Sequence, residues 1–338
     1  MTDLEYIEQE AAATTLSGVQ MVKRYGADTD RWPAGHWRNL LDRVKQLAGT
    51  PPPPPPPPPP SGMPRQGISS PEFIGRSTAD QDWELDRVKE LGNGHPMFFR
   101  FDWWPNMASQ FAAVKLKMEA RGIVPMPLLN YDPGNRPNAA TFAAQAAMCA
   151  QTFGWVNLLN EPNLGGWSPQ DAAIYVKQAY AAIGGKAKVL APDVATNGGH
   201  PPAGVVAWVQ AYMAAGGKQD VAAVNLYTDA EQLDPAWNLW AEVPALRKAF
   251  GPVPLVSLEG GCRVDGQTYG TKWGQLSGVQ YQDKSVATGM AARAAGTIDS
   301  YLVYSVLNTF KSAAGGFGLV DSSRVKRPAY GTFQQHAA

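Results

Sequence analysis

Cysteine is nearly absent, with Cys149 and Cys262 the only two among 338 residues. That count gives no disulfide framework and no cysteine-based metal spacing, so two free, inert thiols are expected. The four histidines, His36, His95, His200 and His336, are scattered and offer no zinc-ligand spacing. Neither sign of charge is in surplus: 29 Lys and Arg face 29 Asp and Glu, whereas a nucleic-acid binder normally carries a basic excess. No apolar run reaches the roughly 20 residues that span a bilayer. The start, Met1-Thr2-Asp3-Leu4-Glu5-Tyr6, is acidic and has no apolar signal-peptide core. A Gly-rich phosphate loop after an early strand is also missing, which speaks against a doubly wound nucleotide-binding sheet. These absences lead us to expect a soluble protein without cofactor, metal, nucleic-acid or membrane partner. It would be cytoplasmic by default, or held in a larger assembly.

What the chain does have is apolar and aromatic bulk. Hydrophobic residues make up 44% of it, and 11 Trp, 12 Tyr and 11 Phe serve either core packing or sugar stacking. The length suits one α/β domain of roughly 250 residues with an appendage. Pro51 to Pro60 is an unbroken proline decade followed by Ser61-Gly62. Ten prolines cannot join a helix or a sheet and should form a polyproline II rod of roughly 30 Å. Before it, Trp37, Leu40, Leu41, Val44 and Leu47 recur at helical spacing, and Gly49 suits a C-cap. Fifty residues bury too little surface for assured independent stability. The expected organisation is therefore a helical docking or oligomerisation arm over 1–50, a stiff linker over 51–62, and the main domain over 63–338.

Past the linker, strands and helices alternate. Met97–Phe101, Ile123–Leu129, Trp155–Leu159, Lys188–Ala191, Val221–Leu226, Leu255–Leu258 and Tyr301–Val306 read as strands, and an eighth is expected within Gln66–Ile74. Helices are expected near Thr78–Leu91, Asn106–Arg121, Asn138–Phe153, after Ser168-Pro169, and near Pro201–Ala215, Ala236–Phe250 and Val279–Ala295. Near-continuous apolar strands separated by helices imply a parallel sheet covered on both faces. Eight such units imply a (β/α)8 TIM barrel, with its active site at the C-terminal ends of the strands.

Two of those strand ends carry carboxylates. The run from Trp155 stops in Asn160-Glu161-Pro162, and the run from Val253 stops in Glu259-Gly260-Gly261. Two carboxylates facing one barrel mouth are the minimum equipment for cleaving a glycosidic bond. On these motifs the chain, from about residue 66 to 335, resembles the clan A glycoside hydrolases. These are (β/α)8 retaining enzymes such as cellulases, mannanases and xylosidases. The resemblance implies that Glu161 is the acid/base, Glu259 the nucleophile, and Asn160 the amide that meets the sugar 2-hydroxyl. It also implies that Arg100, in Phe99-Arg100-Phe101-Asp102-Trp103-Trp104, and Tyr227, in Asn225-Leu226-Tyr227, attend the nucleophile. Asn225 stands where the family often has histidine, and Tyr304 or Ser305 where the closing strand commonly has tryptophan.

Trp103, Trp104 and Trp167 follow strand ends and are candidate sugar platforms; Asn130 and Tyr131, after the third strand, could add polar contacts. The expected activity is hydrolysis of a β-linked poly- or oligosaccharide by double displacement. A non-catalytic, carbohydrate-binding barrel serving as an adhesin is the competing reading. An arm and rod carrying a barrel would also suit a component of a larger assembly such as a phage tail.

Overall fold

The computed structural model describes residues 62–196, 201–227, 239–262, 264, 268–271, 274–307 and 316–337. The arm over 1–50 and the proline decade lie outside the described residues.

Among the described residues, ten strands and eight α-helices follow in order: β1 (Gln66–Ser69), α1 (Thr78–Gly92), β2 (Met97–Asp102), α2 (Ala108–Glu119), β3 (Ile123–Leu129), α3 (Ala139–Thr152), β4 (Trp155–Leu158), α4 (Pro169–Ile183), β5 (Lys188–Val194), α5 (Pro202–Ala214), β6 (Val221–Tyr227), α6 (Val243–Phe250), β7 (Leu255–Gly261), β8 (Thr268–Thr271), β9 (Gly274–Ser277), α7 (Gly278–Ala294), β10 (Ser300–Tyr304) and α8 (Pro328–Gln335). Strands β1 to β7 and β10 close a parallel eight-stranded barrel. It seals where β1 pairs with β10, Gln66 opposite Tyr301 and Ser69 opposite Tyr304. An antiparallel hairpin of β8 and β9, which strand periodicity did not reveal, interrupts the chain between β7 and α7.

Local chemistry accounts for the boundaries. Ser77, Asn138, Ser168 and Ser277 cap α1, α3, α4 and α7 by accepting from the backbone N–H three residues on. Ser277 and Gln280 complete a capping box. The first strand is shorter than the window 66–74 allowed. Pro71 has no N–H for a ladder, and the chain turns there into a 3-10 helix, Pro71–Gly75. Helix α6 starts late because Val243-Pro244 begins a new first turn after a 3-10 segment, Leu239–Glu242.

Alternation sorts each strand's side chains between the barrel interior and the helical shell. On β2, Phe99 and Phe101 face outward: Phe99 meets Phe73 at 4.8 Å, and Phe101 meets Phe111 and Phe153 at 5.8 Å. Phe98 faces inward, among Met126, Leu190, Ala223, Val256 and Leu302, which plug the base of the barrel. Above that plug the inward positions turn polar, and that layer holds the candidate site.

Tyr301, on the outer face of β10, lies between two glycines. A Cβ on Gly260 would fall 2.4 Å from its ring and one on Gly289 of α7 only 2.1 Å. Gly289→Ala is therefore expected to overpack this layer by about 1–3 kcal/mol. Calorimetry should show Tm falling by several degrees, at about 2–4 °C per kcal/mol.

Candidate active site

Arg100 organises the polar layer. It stands on β2 one inward step above Phe98, and its side chain is completely buried. Its Nε donates to Asn157 Oδ1 at 2.8 Å, and Nη1 to Ser69 Oγ at 2.9 Å and to Glu259 Oε1. Nη2 donates to Asn160 Oδ1 at 2.6 Å and to Asp193 Oδ2 at 2.8 Å. One guanidinium thus ties β1, β4, β5 and β7 together. A planar fork of five donors suits this role in a way that a lysine ammonium does not.

Three strands reach this layer by breaking their own alternation. On β4, Asn157 and Asn160 both meet Arg100 although three residues apart; Leu159 between them is left-handed, with φ 62°. On β5 the register against β6 slips between Leu190 and Asp193. On β7 it slips again, so that Val224 faces Ser257 but Asn225 faces Glu259. The slips on β5 and β7 each insert one residue and re-aim the next polar side chain inward, as bulges at barrel rims do, while on β4 the left-handed Leu159 does so without a slip against β5. Glu161 is itself left-handed, φ 43°, a conformation uncommon outside glycine and often found at functional sites. Its N–H donates to Asp193 O at 2.7 Å, and Asn130 Oδ1 accepts from Asn160 N at 3.0 Å. The β4 tip is held from both sides.

The two glutamates flank Asn225. Asn225 Nδ2 donates to Glu161 Oε1 at 2.8 Å, while the Asn225 backbone is paired with that of Glu259. Tyr227 Oη donates to Glu259 Oε2 at 2.5 Å. Burial pushes the Glu161 carboxyl above its ordinary range and the negative charge of Glu259 adds to the rise, against the pull of the Asn225 hydrogen bond and of Arg100. Burial, with Glu259 second, also drives the Tyr227 phenol far upward, so it remains a donor. Asp193 is likewise raised by burial, with its partner Arg100 opposing.

Tyr304 and Tyr227 both set their rings against Phe317, at 5.5 and 5.7 Å, and form an aromatic wall beside Glu259. The tryptophans divide differently from expectation. Trp103 is 2% exposed and packs against Phe111 at 5.9 Å. It continues the outward parity of Phe99 and Phe101, so it belongs to the core. Trp167 is 4% exposed, with its Nε1 donating to Tyr131 O and its ring edge-on to Tyr175. It too is a core residue, whereas Trp104 presents an indole that is 41% exposed.

The structure therefore gathers Arg100, Asn160, Glu161, Asn225, Tyr227, Glu259 and Tyr304 around one polar layer, with Asn130 bracing the β4 tip. Sequence reading missed Ser69, Asn157 and Asp193 as partners of Arg100. Their one signal is a polar residue inside an otherwise apolar strand. Among the described residues, no group of three His, Cys, Asp or Glu is placed to hold a metal ion, and no helix is long and apolar enough to cross a membrane.

No protein-family model matches the sequence, and no curated protein does. Solved structures do. A GH128 subgroup I endo-β-1,3-glucanase from Amycolatopsis mediterranei, in complex with laminaripentaose, superposes with a TM-score of 0.51 at 15% identity, covering 80% of this chain and 99% of that one. An endo-β-1,4-glucanase from Xanthomonas axonopodis pv. citri gives 0.57 at 15%, covering 81% and 99%. A GH5_18 protein from Streptomyces cattleya, in complex with GlcNAc, gives 0.56 at 13%, covering 81% and 79%. At such identities the likeness concerns the fold alone: this chain shares its (β/α)8 barrel with these glycoside hydrolase structures.

Proposed function

We propose that the chain is a retaining glycoside hydrolase acting on a β-linked poly- or oligosaccharide. The observation that carries this reading is the unequal treatment of two carboxyls beside one amide. Glu161 is raised by burial and like charge, which favours a proton on it, while Glu259 is held by a guanidinium and a phenol. A buried carboxyl that favours its proton, beside one held by a guanidinium and a phenol, is the pairing expected of an acid and a nucleophile.

In the first step Glu259 attacks the anomeric carbon as Glu161 gives its proton to the departing glycosidic oxygen. In the second, Glu161 takes a proton from water, which displaces Glu259 and restores both groups. Arg100 and Tyr227 orient Glu259, Asn225 orients Glu161, and Asn160, whose Oδ1 accepts from Arg100, offers its Nδ2 to a sugar hydroxyl.

β-1,3- and β-1,4-glucans are the first substrates to try, because two structural neighbours are glucanases of those linkages. Mannan, xylan and chitin oligosaccharides complete the panel. Release of reducing ends from at least one polymer is expected. Sugar binding with no release from any of them would favour the adhesin reading instead.

Glu161→Ala is expected to slow polysaccharide cleavage by about 100- to 10,000-fold, the usual range for general acid catalysis. It should slow the glycosylation step far less on a 2,4-dinitrophenyl glycoside, whose leaving group needs no proton. Because the Glu161 carboxyl is raised, wild-type kcat/KM should hold above the ordinary glutamate range and fall as pH climbs through the raised value. That alkaline limb should vanish in Glu161→Ala, which a kcat/KM profile across pH 4 to 9 checks.

A further inference from the structure

We propose that Asp102 is a sugar-binding, specificity-determining residue of this same site, accepting hydrogen bonds from the hydroxyls of an uncharged sugar and disfavouring sugars that carry carboxylate or sulfate groups. The inference rests on the glycosidase reading above and concerns a residue to which that reading gives no role.

Phe98, Arg100 and Asp102 occupy alternate positions of β2 and share its inward face. Asp102 is thus one step, roughly 6.6 Å, nearer the mouth than Arg100. The parity is visible in the neighbours, since Phe101 and Trp103 both pack outward on Phe111. Asp102 keeps partial exposure, as a residue lining a cleft does. Among the described residues, no side chain or backbone N–H hydrogen-bonds its carboxylate. Asp193 differs, because it has Arg100 at 2.8 Å.

The charges that face Asp102 are Arg100 of its own strand, Glu259 of β7 and Glu72 of the 3-10 helix after β1. Burial pushes the Asp102 carboxyl up to about 6; Arg100 counteracts this, while Glu259 and Glu72 add to it. A carboxylate kept half-buried without a donor weakens the fold and caps no helix. Vicinal hydroxyls of a bound sugar would supply the missing donors as charge-assisted bonds. Asp102, Glu161, Asp193 and Glu259 share the field of a single guanidinium here, so a second anion brought in by substrate would meet like charge.

The test is Asp102→Asn. The probes are the neutral polymer hydrolysed fastest in the panel and the same polymer carboxymethylated. Wild type is expected to prefer the neutral form. The variant should raise KM for it by about 10- to 100-fold, the loss of a hydrogen bond to a charged group. Its kcat should change little, and its preference over the carboxymethylated form should narrow.

Stability supplies a second readout that a structural aspartate would move the other way. A raised carboxyl weakens the fold as pH rises from the unfolded value towards about 6. Asp102→Asn should therefore raise Tm at pH 7.5 and leave it unchanged near pH 3. Unchanged KM and preference, or a lower Tm at pH 7.5, would overturn the assignment. If wild type cleaves nothing in the panel, it is the glycosidase reading that fails. Affinity electrophoresis in the neutral glucans, with weaker retardation of the variant expected and equal retardation overturning the role, then decides on Asp102 alone.

Discussion

Replacing Glu259 by alanine is expected to abolish turnover, by about 100,000-fold or more, the scale on which loss of a catalytic nucleophile acts. The fold should survive, because Arg100 keeps its ion pair with Asp193 and its bonds to Ser69, Asn157 and Asn160. What the substitution leaves is a small cavity lined by the Arg100 guanidinium and the Tyr227 phenol. Azide fits such a space. With an activated aryl glycoside it should restore turnover and give the glycosyl azide of inverted configuration, because only one displacement then occurs. Retained activity without azide would remove Glu259 from the nucleophile's place.

Arg100→Met is expected to be at least as damaging, and to stability as well as to rate. Arg100 is buried with Asp193 and Glu259, both carboxylates deep in the barrel. Removing one partner of a buried pair strands the other charge, at about 3–5 kcal/mol. Here two carboxylates are stranded together. The sign of the pH dependence follows from this. Burial already raises the Asp193 carboxyl against the pull of Arg100; without the guanidinium that rise is unopposed, so stability present at low pH is lost as pH rises through the carboxylate range. The Tm deficit relative to wild type should therefore be larger at pH 8 than at pH 4. Arg100→Lys should recover part of the stability and little of the rate, since one ammonium cannot serve five acceptors on four strands. An equal deficit at both pH values would mean that Arg100 acts through packing alone.

The barrel was legible because its strands are apolar runs separated by capped helices, and each cap is a local signal: Ser168-Pro169 starts α4 where its chemistry places it. The two catalytic candidates were legible because each ends such a run. The inner arrangement was not. A period of two cannot foretell that Asn160, Asp193 and Glu259 all turn inward, since each does so through one extra residue or a left-handed neighbour that only tertiary pairing selects. Parity also separates Trp104, exposed at the mouth, from Trp103, which continues the outward face of β2. Trp167 follows β4 through a loop, where periodicity carries no information about which way an indole points. The hairpin of β8 and β9 was missed because its short strands, TYGT and GQLS, carry no alternating apolar pattern.

The most direct test of the central claim is the configuration of the first product. Proton NMR of a β-glucan digest, read in the first minutes before mutarotation, should show the β-anomer of the new reducing end ahead of the α-anomer. Appearance of the α-anomer first would mean a single displacement by water, and would contradict Glu259 as nucleophile.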